Sequence, residues 1–273
     1  MAMKFIRMNG LGNDFLIYDA RKHSDVSYFS HENILSLCAR ENKNTKGCDQ
    51  LIVLGNSNKA DVSMLVYNSD GSEVYACGNA SRCVTSLMND EGKTKVKIET
   101  KAAILSGEMA GKNMVAVDMG EPIFDWKRIP LAKDVDIKTL PIDVESFAKP
   151  FAVSMGNPHM VFTTDKDVEK IDVKGLGKEL EYHPLYPQRA NVGFAQVVDK
   201  NNINLRVFER GAGETLACGT GACAAAVAAI SRELVNRKVN IKTHGGGMVI
   251  EWREADGHVI MTGPVEMEGA VEV

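Results

Sequence analysis

A cysteine stands where a glycine-rich turn gives way to an apolar helix in Gly211-Ala212-Gly213-Glu214-Thr215-Leu216-Ala217-Cys218-Gly219-Thr220-Gly221. The arrangement also occurs 141 positions earlier, in Asp70-Gly71-Ser72-Glu73-Val74-Tyr75-Ala76-Cys77-Gly78-Asn79, where Glu73, Cys77 and Gly78 match Glu214, Cys218 and Gly219. A thiol at the first turn of a helix sits beside unpaired N–H groups and the positive end of the helix dipole. Both favour the thiolate, so its pKa is expected to fall below the free value of about 8.5. The glycine that follows has no side chain to block those N–H groups, and a carboxylate can be held there. Two such helix ends facing one pocket would grip one carboxylate and set a thiol on either side of the neighbouring carbon. That arrangement suits inversion at a carbon bearing a proton: a thiolate removes the proton from one face and a thiol returns one to the other. The charge passes through the carboxylate, where each preorganised donor is worth roughly 10²–10³ in rate.

An isolated cysteine at a tight turn is more simply a small buried residue. Symmetric recurrence, with glycine following each time, argues for chemistry at Cys77 and Cys218. Cys83 and Cys223 lie further along their helices and read as packing residues, as do Cys38 and Cys48. Zinc fits poorly, because the Cys77/Cys83 and Cys218/Cys223 spacings are wider than usual and no histidine is near, so no metal site is expected. No Rossmann or P-loop fingerprint is present. A lysine Schiff base to pyridoxal phosphate is left open by the sequence, and the paired thiols make such a cofactor unnecessary.

The elements that position these residues repeat as well. Gly12-Asn13-Asp14-Phe15-Leu16-Ile17-Tyr18 matches Gly156-Asn157-Pro158-His159-Met160-Val161-Phe162, and Gln50 matches Asn191 at the head of a strand-like run. Val62, Met64 and Val66 match Ile203, Leu205 and Val207 in the alternating pattern of a half-buried strand. Val96 to Thr100 matches Val239 to Thr243. The reading is an α/β protein of two pseudo-symmetric lobes from an internal duplication, each a mixed, mainly antiparallel β-sheet or barrel wrapped around a central helix. The N-terminal lobe is placed at 1–120, joined by 264–273, and the C-terminal lobe at 121–263. Ala222 to Leu234 reads as a core helix, apolar nearly all round, and Ala80 to Met88 as a weaker version. Ser30 to Arg40 reads as a surface helix with Ile34, Leu35, Leu37 and Cys38 as its apolar stripe. Met1 to Met8 reads as a first strand. Glu121 to Lys149, with three prolines and many charges, reads as a linker, and Asp165 to Lys174 as a solvated face.

With 273 residues, 44% hydrophobic and 25% charged, the composition is that of a globular protein of one or two domains. A net charge of −4 and the absence of basic runs speak against a nucleic-acid surface and leave a small molecule as the partner. The nine apolar residues from Ala222 to Ile230 are too few to span a bilayer, which takes about 20. The N-terminus lacks the apolar core of a signal peptide, so a cytoplasmic protein with reduced cysteines is expected.

At these motifs the sequence resembles the diaminopimelate epimerase family. The residues that carry the likeness are Gly10-Leu11-Gly12-Asn13-Asp14-Phe15, Asn68-Ser69-Asp70-Gly71-Ser72-Glu73, Cys77-Gly78-Asn79, Gly156-Asn157-Pro158-His159, and Glu209-Arg210-Gly211 through Cys218-Gly219-Thr220-Gly221. The resemblance implies a cofactor-independent cytoplasmic homodimer that interconverts LL- and meso-diaminopimelate, on the route to lysine and peptidoglycan. It implies Cys77 and Cys218 as acid and base. It implies substrate contacts at Asn13, Gln50, Asn68, Asn157, Asn191, Glu209 and Arg210, with Gly78, Asn79, Gly219 and Thr220 at the helix starts. His159 and Glu209 are candidates for tuning the thiols, and Arg210 suits a second carboxylate. Ala80 stands where the family commonly has glycine, and Asn42 to Cys48 is less regular than the turn expected before Gln50. The rivals are a proline or hydroxyproline racemase of related fold and a non-catalytic thiol protein.

Overall fold

The computed structural model describes residues 3–22, 28–75, 77–145 and 147–273. Met1 and Ala2 of the expected first strand, Ala76 of the first cysteine motif and Ser146 of the expected linker lie outside the described residues. Met1–Val117 with Gly263–Val273 form one compact unit, and Asp118–Thr262 form the second.

In the first unit, β1 (Lys4–Gly10) and β2 (Asn13–Asp19) make an antiparallel hairpin. Its two turn residues, Leu11 and Gly12, both have positive φ (62° and 79°), the geometry that keeps a tight hairpin in step with strand twist. α1 (His31–Cys38) leads to β3 (Gln50–Gly55), which runs parallel to β2. β4 (Val62–Asn68) returns antiparallel to β3, and β5 (Glu73–Val74) pairs briefly with β4. Then follow α2 (Gly78–Asp90), β6 (Lys95–Glu99) parallel to β4, β7 (Ile104–Gly111) antiparallel to β6, and β8 (Met114–Asp118).

The second unit repeats this plan. β9 (Phe151–Ser154) and β10 (Pro158–Thr164) form the hairpin, and α3 (Val173–Leu180) leads to β11 (Asn191–Asp199), parallel to β10. β12 (Asn202–Glu209), β13 (Gly213–Thr215), α4 (Gly219–Ser231), β14 (Lys238–Thr243) and β15 (Gly246–Trp252) keep the corresponding orientations. β16 (Val259–Pro264) pairs with β15, and β17 (Glu266–Glu272) lies antiparallel to β1. The same strand pairings in the same order, twice, establish the duplication.

Each cysteine-led helix is buried in its own unit. α4 packs against β9, β10, β11, β12, β14 and β15, and every residue from Gly221 to Ile230 is buried. Its run of alanines makes this possible, because small side chains let strands approach from all sides. α2 packs against β1, β6 and β7, and it buries Ser81, Arg82 and Thr85 along with its apolar residues. It is therefore deeper than its mixed composition indicated.

Three expectations are corrected. The 121–149 stretch is no linker: Ile129, Leu131, Leu140 and Ile142 are buried in the second unit's core with Phe162 and Phe194, whose rings stack 5.4 Å apart. Prolines and charges between these residues hid their common direction. Leu35 is 39% exposed, so the buried face of α1 is Ile34, Leu37 and Cys38. α4 ends at Ser231 rather than Leu234, because the chain turns at Glu233, whose φ is 57°. Within Asp165 to Lys174 the charges face solvent, while Val168 and Val173 anchor the segment in the core.

If the 121–149 stretch is core, Ile129→Ala should destabilise the protein by about 2–4 kcal/mol. Urea unfolding midpoints check this, and a loss under about 0.5 kcal/mol would return the segment to the status of a surface connection.

Candidate active site

In both units the cysteine is the N-cap of its helix, and its sulfur accepts a backbone N–H of the first turn. Ala80 N donates to Cys77 Sγ at 3.5 Å, and Gly221 N donates to Cys218 Sγ at 3.4 Å. Gly78 and Gly219 open the two helices, with Asn79 and Thr220 next. Ala80, where the family commonly has glycine, is the residue whose amide caps onto sulfur, and its methyl is buried without disturbing that bond. At Gly221 the space is tighter: an added Cβ would lie 3.0 Å from Val207 Cγ2 and 3.2 Å from Cys218 Sγ. The sequence reading did not single out Gly221, although its spacing from the cysteine marks it.

In the first unit, Cys77 Sγ lies 4.0 Å from Asn13 Oδ1, at the outer limit of a thiol hydrogen bond, and Asn79 Nδ2 donates to the same oxygen at 3.4 Å. Asn13 Nδ2 donates to Asp49 Oδ2 at 3.1 Å. Gln50 opens β3, and its Nε2 donates to Asn68 Oδ1 at 2.9 Å, forming a separate pair. Gln50 Oε1 and Asn79 Oδ1 are buried acceptors that receive no donor among the described residues. Buried acceptors are costly when unpaired, so both invite a ligand's N–H groups.

The irregular 42–48 loop is firmly held. Asn42 Oδ1 accepts from the Asn44 and Thr45 amides, Thr45 Oγ1 donates to Leu37 O, and Arg7 donates to the carbonyls of Thr45 and Gly47. Arg40 and Arg7 also bind Asp14, and burial, which pushes the Asp14 carboxyl up, is outweighed by Arg40 and the Asp49 amide, so its pKa is lowered.

In the second unit, Cys218 is 5% exposed and donates to Glu209 Oε2 at 3.0 Å, while Thr215 Oγ1 donates to Glu209 Oε1. Burial first, and then the Glu209 carboxylate, push the Cys218 pKa well up. This overturns the expectation of a thiolate favoured by the helix end. The Gly221 amide does lower the pKa, but burial and a neighbouring negative charge exceed it. Thr220 Oγ1 lies 3.6 Å from Cys218 Sγ and accepts from Asn157 Nδ2 at 3.2 Å, and Asn157 Oδ1 meets His159 Nε2 at 2.9 Å. The structure thus joins Cys218, Glu209, Thr220, Asn157 and His159 in one network.

Asn191 stands apart from that thiol. It is buried at the start of β11, with Nδ2 on Pro158 O and Oδ1 on the Arg210 amide, so it ties the two segments together. The Arg210 guanidinium reaches Gln188 O at 3.1 Å. Its pKa is lowered by burial and by the like charge of Arg189, with Glu181 opposing. Glu181 accepts from the Gly211 amide and from Arg189. Thr215, Glu181 and Asp49 each support a named site residue; Glu181 and Asp49 lie outside the sequence motifs, and Thr215 lies inside the cysteine motif with no role read for it there. Among the described residues no group of three or more His, Cys, Asp and Glu side chains is placed to hold a metal ion.

The diaminopimelate epimerase family model matches residues 5–124 and 151–268. A diaminopimelate epimerase of Caulobacter sp. (strain K31) is 45% identical over 98% of this chain and 96% of its own length. Those of Zymomonas mobilis, 45% identical over 97% and 94%, and Aromatoleum aromaticum, 42% identical over 100% and 99%, are similar. Among solved structures, a hydroxyproline epimerase from Agrobacterium vitis has a TM-score of 0.69 at 14% identity, covering 100% of this chain and 91% of that one. A Bacillus anthracis protein of the PhzF family has the same score and identity, covering 100% and 99%. At this identity the two structures share the fold alone.

His159 is 1% exposed, and burial, reinforced by the Arg210 charge, presses its pKa down to about 3. The ring is therefore neutral at pH 7. Unfolded, it takes up a proton near pH 6.5, so the stability gained by keeping it neutral is complete above that pH. It is lost as pH falls from about 6.5 towards 3, at about 1.4 kcal/mol per pH unit. His159→Gln should flatten the dependence of urea-unfolding free energy on pH between 6 and 4 by about one proton. An unchanged slope would mean that the ring is not held neutral.

Proposed function

The chain belongs to the diaminopimelate epimerase family, and on that premise we propose that it interconverts LL- and meso-2,6-diaminopimelate with two of its own thiols, Cys77 and Cys218. The observation that carries the two-thiol reading is that each of two homologous units caps its buried helix with a cysteine. Inversion needs two proton-transfer groups, and each unit supplies one.

The protonation of Cys218 assigns the direction. Burial and Glu209 hold the proton on its sulfur, so Cys218 is the acid, which leaves Cys77 as the base. Cys77 takes the α-proton, the C–H electron pair passes into the α-carboxylate, and Cys218 delivers its proton to the opposite face of the carbon. For the reverse reaction Cys218 must first lose its proton, and Glu209 Oε2 at 3.0 Å is the acceptor in reach. The first-turn amides at Gly78, Asn79, Gly219 and Thr220 are the donors for the carboxylate charge.

The remaining contacts follow the chemistry of the substrate. Asn79 Oδ1 and Gln50 Oε1, buried and without donors among the described residues, suit an ammonium, with Asn13 bonded to Asn79 and Asn68 to Gln50, while Asn157 serves the second unit's helix start through Thr220. Arg210, crowded by the like charge of Arg189, is stabilised by an added anion, which fits the second carboxylate; Asn191 holds its backbone in place. Family membership supports a homodimer that works in the cytoplasm without a cofactor, in lysine and peptidoglycan precursor synthesis. No helix among the described residues is long and apolar enough to cross a membrane.

Proton NMR of LL-diaminopimelate in deuterated water tests this reading. The reduced enzyme should wash deuterium into the α-position with inversion, and Cys77→Ala and Cys218→Ala should each lose epimerisation by roughly 10³-fold or more. Glu209→Gln should lower kcat by about 10²-fold or more. Full turnover in either cysteine variant would refute the two-thiol mechanism, and no exchange by the wild type would refute the substrate.

A further inference from the structure

Asp49 stands outside every motif discussed above, yet it is the origin of a polar chain that ends at the first unit's thiol. An ionised carboxylate accepts hydrogen bonds and cannot donate them. Asp49 Oδ2 receives Asn13 Nδ2 at 3.1 Å and the Asp14 amide at 3.2 Å, and its Oδ1 receives Arg40 at 2.6 Å. The Asp49 amide donates back to Asp14 Oδ1 at 2.9 Å, which fixes its backbone.

A carboxamide has one donor end and one acceptor end, so a partner that only accepts decides which way it points. With Nδ2 committed to Asp49, Asn13 must turn Oδ1 towards Cys77 Sγ and Asn79. Asn79 must then spend Nδ2 on that oxygen, and its own Oδ1 is left as the buried acceptor without a donor. We propose that Asp49 is a positioning residue that sets the polarity of the Asn13–Asn79 relay, so that an acceptor faces the Cys77 thiol and a second acceptor faces the ligand. The inference rests on the reading of Cys77 and Asn79 as site residues.

The second unit uses the matching asparagine the other way round. Asn157 turns Oδ1 to the neutral His159 and Nδ2 to Thr220. Asn13 therefore turns a carbonyl towards its unit's cysteine, while Asn157 spends its amino group on Thr220 Oγ1, which lies 3.6 Å from Cys218 Sγ, although strand pairings and caps are the same. An acceptor beside sulfur raises its affinity for a proton, and a donor lowers it. Asp49 thus strengthens Cys77 as the group that takes the α-proton.

Asp49→Asn keeps the shape and removes the instruction: an amide at position 49 can donate, and Asn13 can turn Nδ2 to the sulfur. The charges around this group are Asp14, Arg7 and Arg40 from the hairpin and the 39–49 segment, Glu268 of β17 on Arg7, and Arg82 of α2 beside Gly10. Arg40→Gln is therefore the control, because it breaks the Asp49 ion pair and leaves the carboxylate in place. The readout is the pH profile of Cys77 alkylation by iodoacetamide, followed by peptide mass spectrometry, which needs no turnover. In Asp49→Asn the profile should move to lower pH by roughly 0.5–1 unit, and KM for diaminopimelate should rise several-fold more than kcat falls. Arg40→Gln should leave the profile within about 0.2 unit of wild type.

An unmoved profile in a folded Asp49→Asn, or an equal shift in Arg40→Gln, overturns the proposal. Neither result depends on whether the wild type epimerises diaminopimelate, so failure of the function and failure of this inference are separable. Should Asp49→Asn not fold, the wild-type protein still decides. The Asn13 side-chain amide protons, assigned by Asn13→Ser, should be slow to exchange with solvent in NMR spectra. Fast exchange overturns the proposal equally.

Discussion

A helix with no side open to water can present polar chemistry only at its ends, a constraint that is complete in α4 and partial in α2, where Ser86, Leu87 and Asn89 are half-buried. In α4 the alanines from Ala222 to Ala229 are sealed among six strands, so the N-terminus is where the helix meets anything reactive. The free N–H groups there need an acceptor, and in each unit the first one served is a cysteine sulfur. Burial of the helix, placement of the thiol and exposure of the following amides are therefore one structural decision made twice. The hairpins and parallel crossovers hold the asparagines and acids around that helix start at hydrogen-bond distance.

Once the two units share a plan, their differences carry the chemistry. Glu73 and Glu214 match in sequence, but Glu73 forms an exposed pair with Lys101 whereas Glu214 is paired with Arg206 in a nearly closed setting. Asn68 and Glu209 occupy the ends of corresponding strands, β4 and β12, and only the second puts a carboxylate beside a thiol. Desolvation makes that carboxylate decisive, since a negative charge close to a sealed sulfur raises the cost of a second one. Like-for-like backbones thus set two thiols in unlike surroundings, one of them against a carboxylate.

Much of this was legible before any coordinates. The cysteine motif recurs with its glycine and glutamate, and the alternation at Val62, Met64 and Val66 returns at Ile203, Leu205 and Val207, because both record backbone needs that survive duplication. The core role of Ile129 and Leu140 was not legible, since irregular backbone leaves no period to read. The raised pKa of Cys218 was missed for another reason: the helix-end effect is visible in a motif, but desolvation and a carboxylate nine residues earlier in the chain depend on how the strand and turn fold back. The roles of Asp49 and Thr215 were invisible because their partners, Asn13 and Glu209, meet them only once the neighbouring strands have paired.

The sulfur caps have a consequence for how the protein can be observed. Because Ala80 and Gly221 donate their amides to the two cysteines, those N–H groups are built-in probes of the sulfur's charge. A thiolate strengthens the bond and a thioether weakens it, so each chemical state of the sulfur has its own amide chemical shift and solvent-exchange rate. The opening turn of each helix is in that sense a gauge wired to its own sulfur, readable residue by residue with no label added.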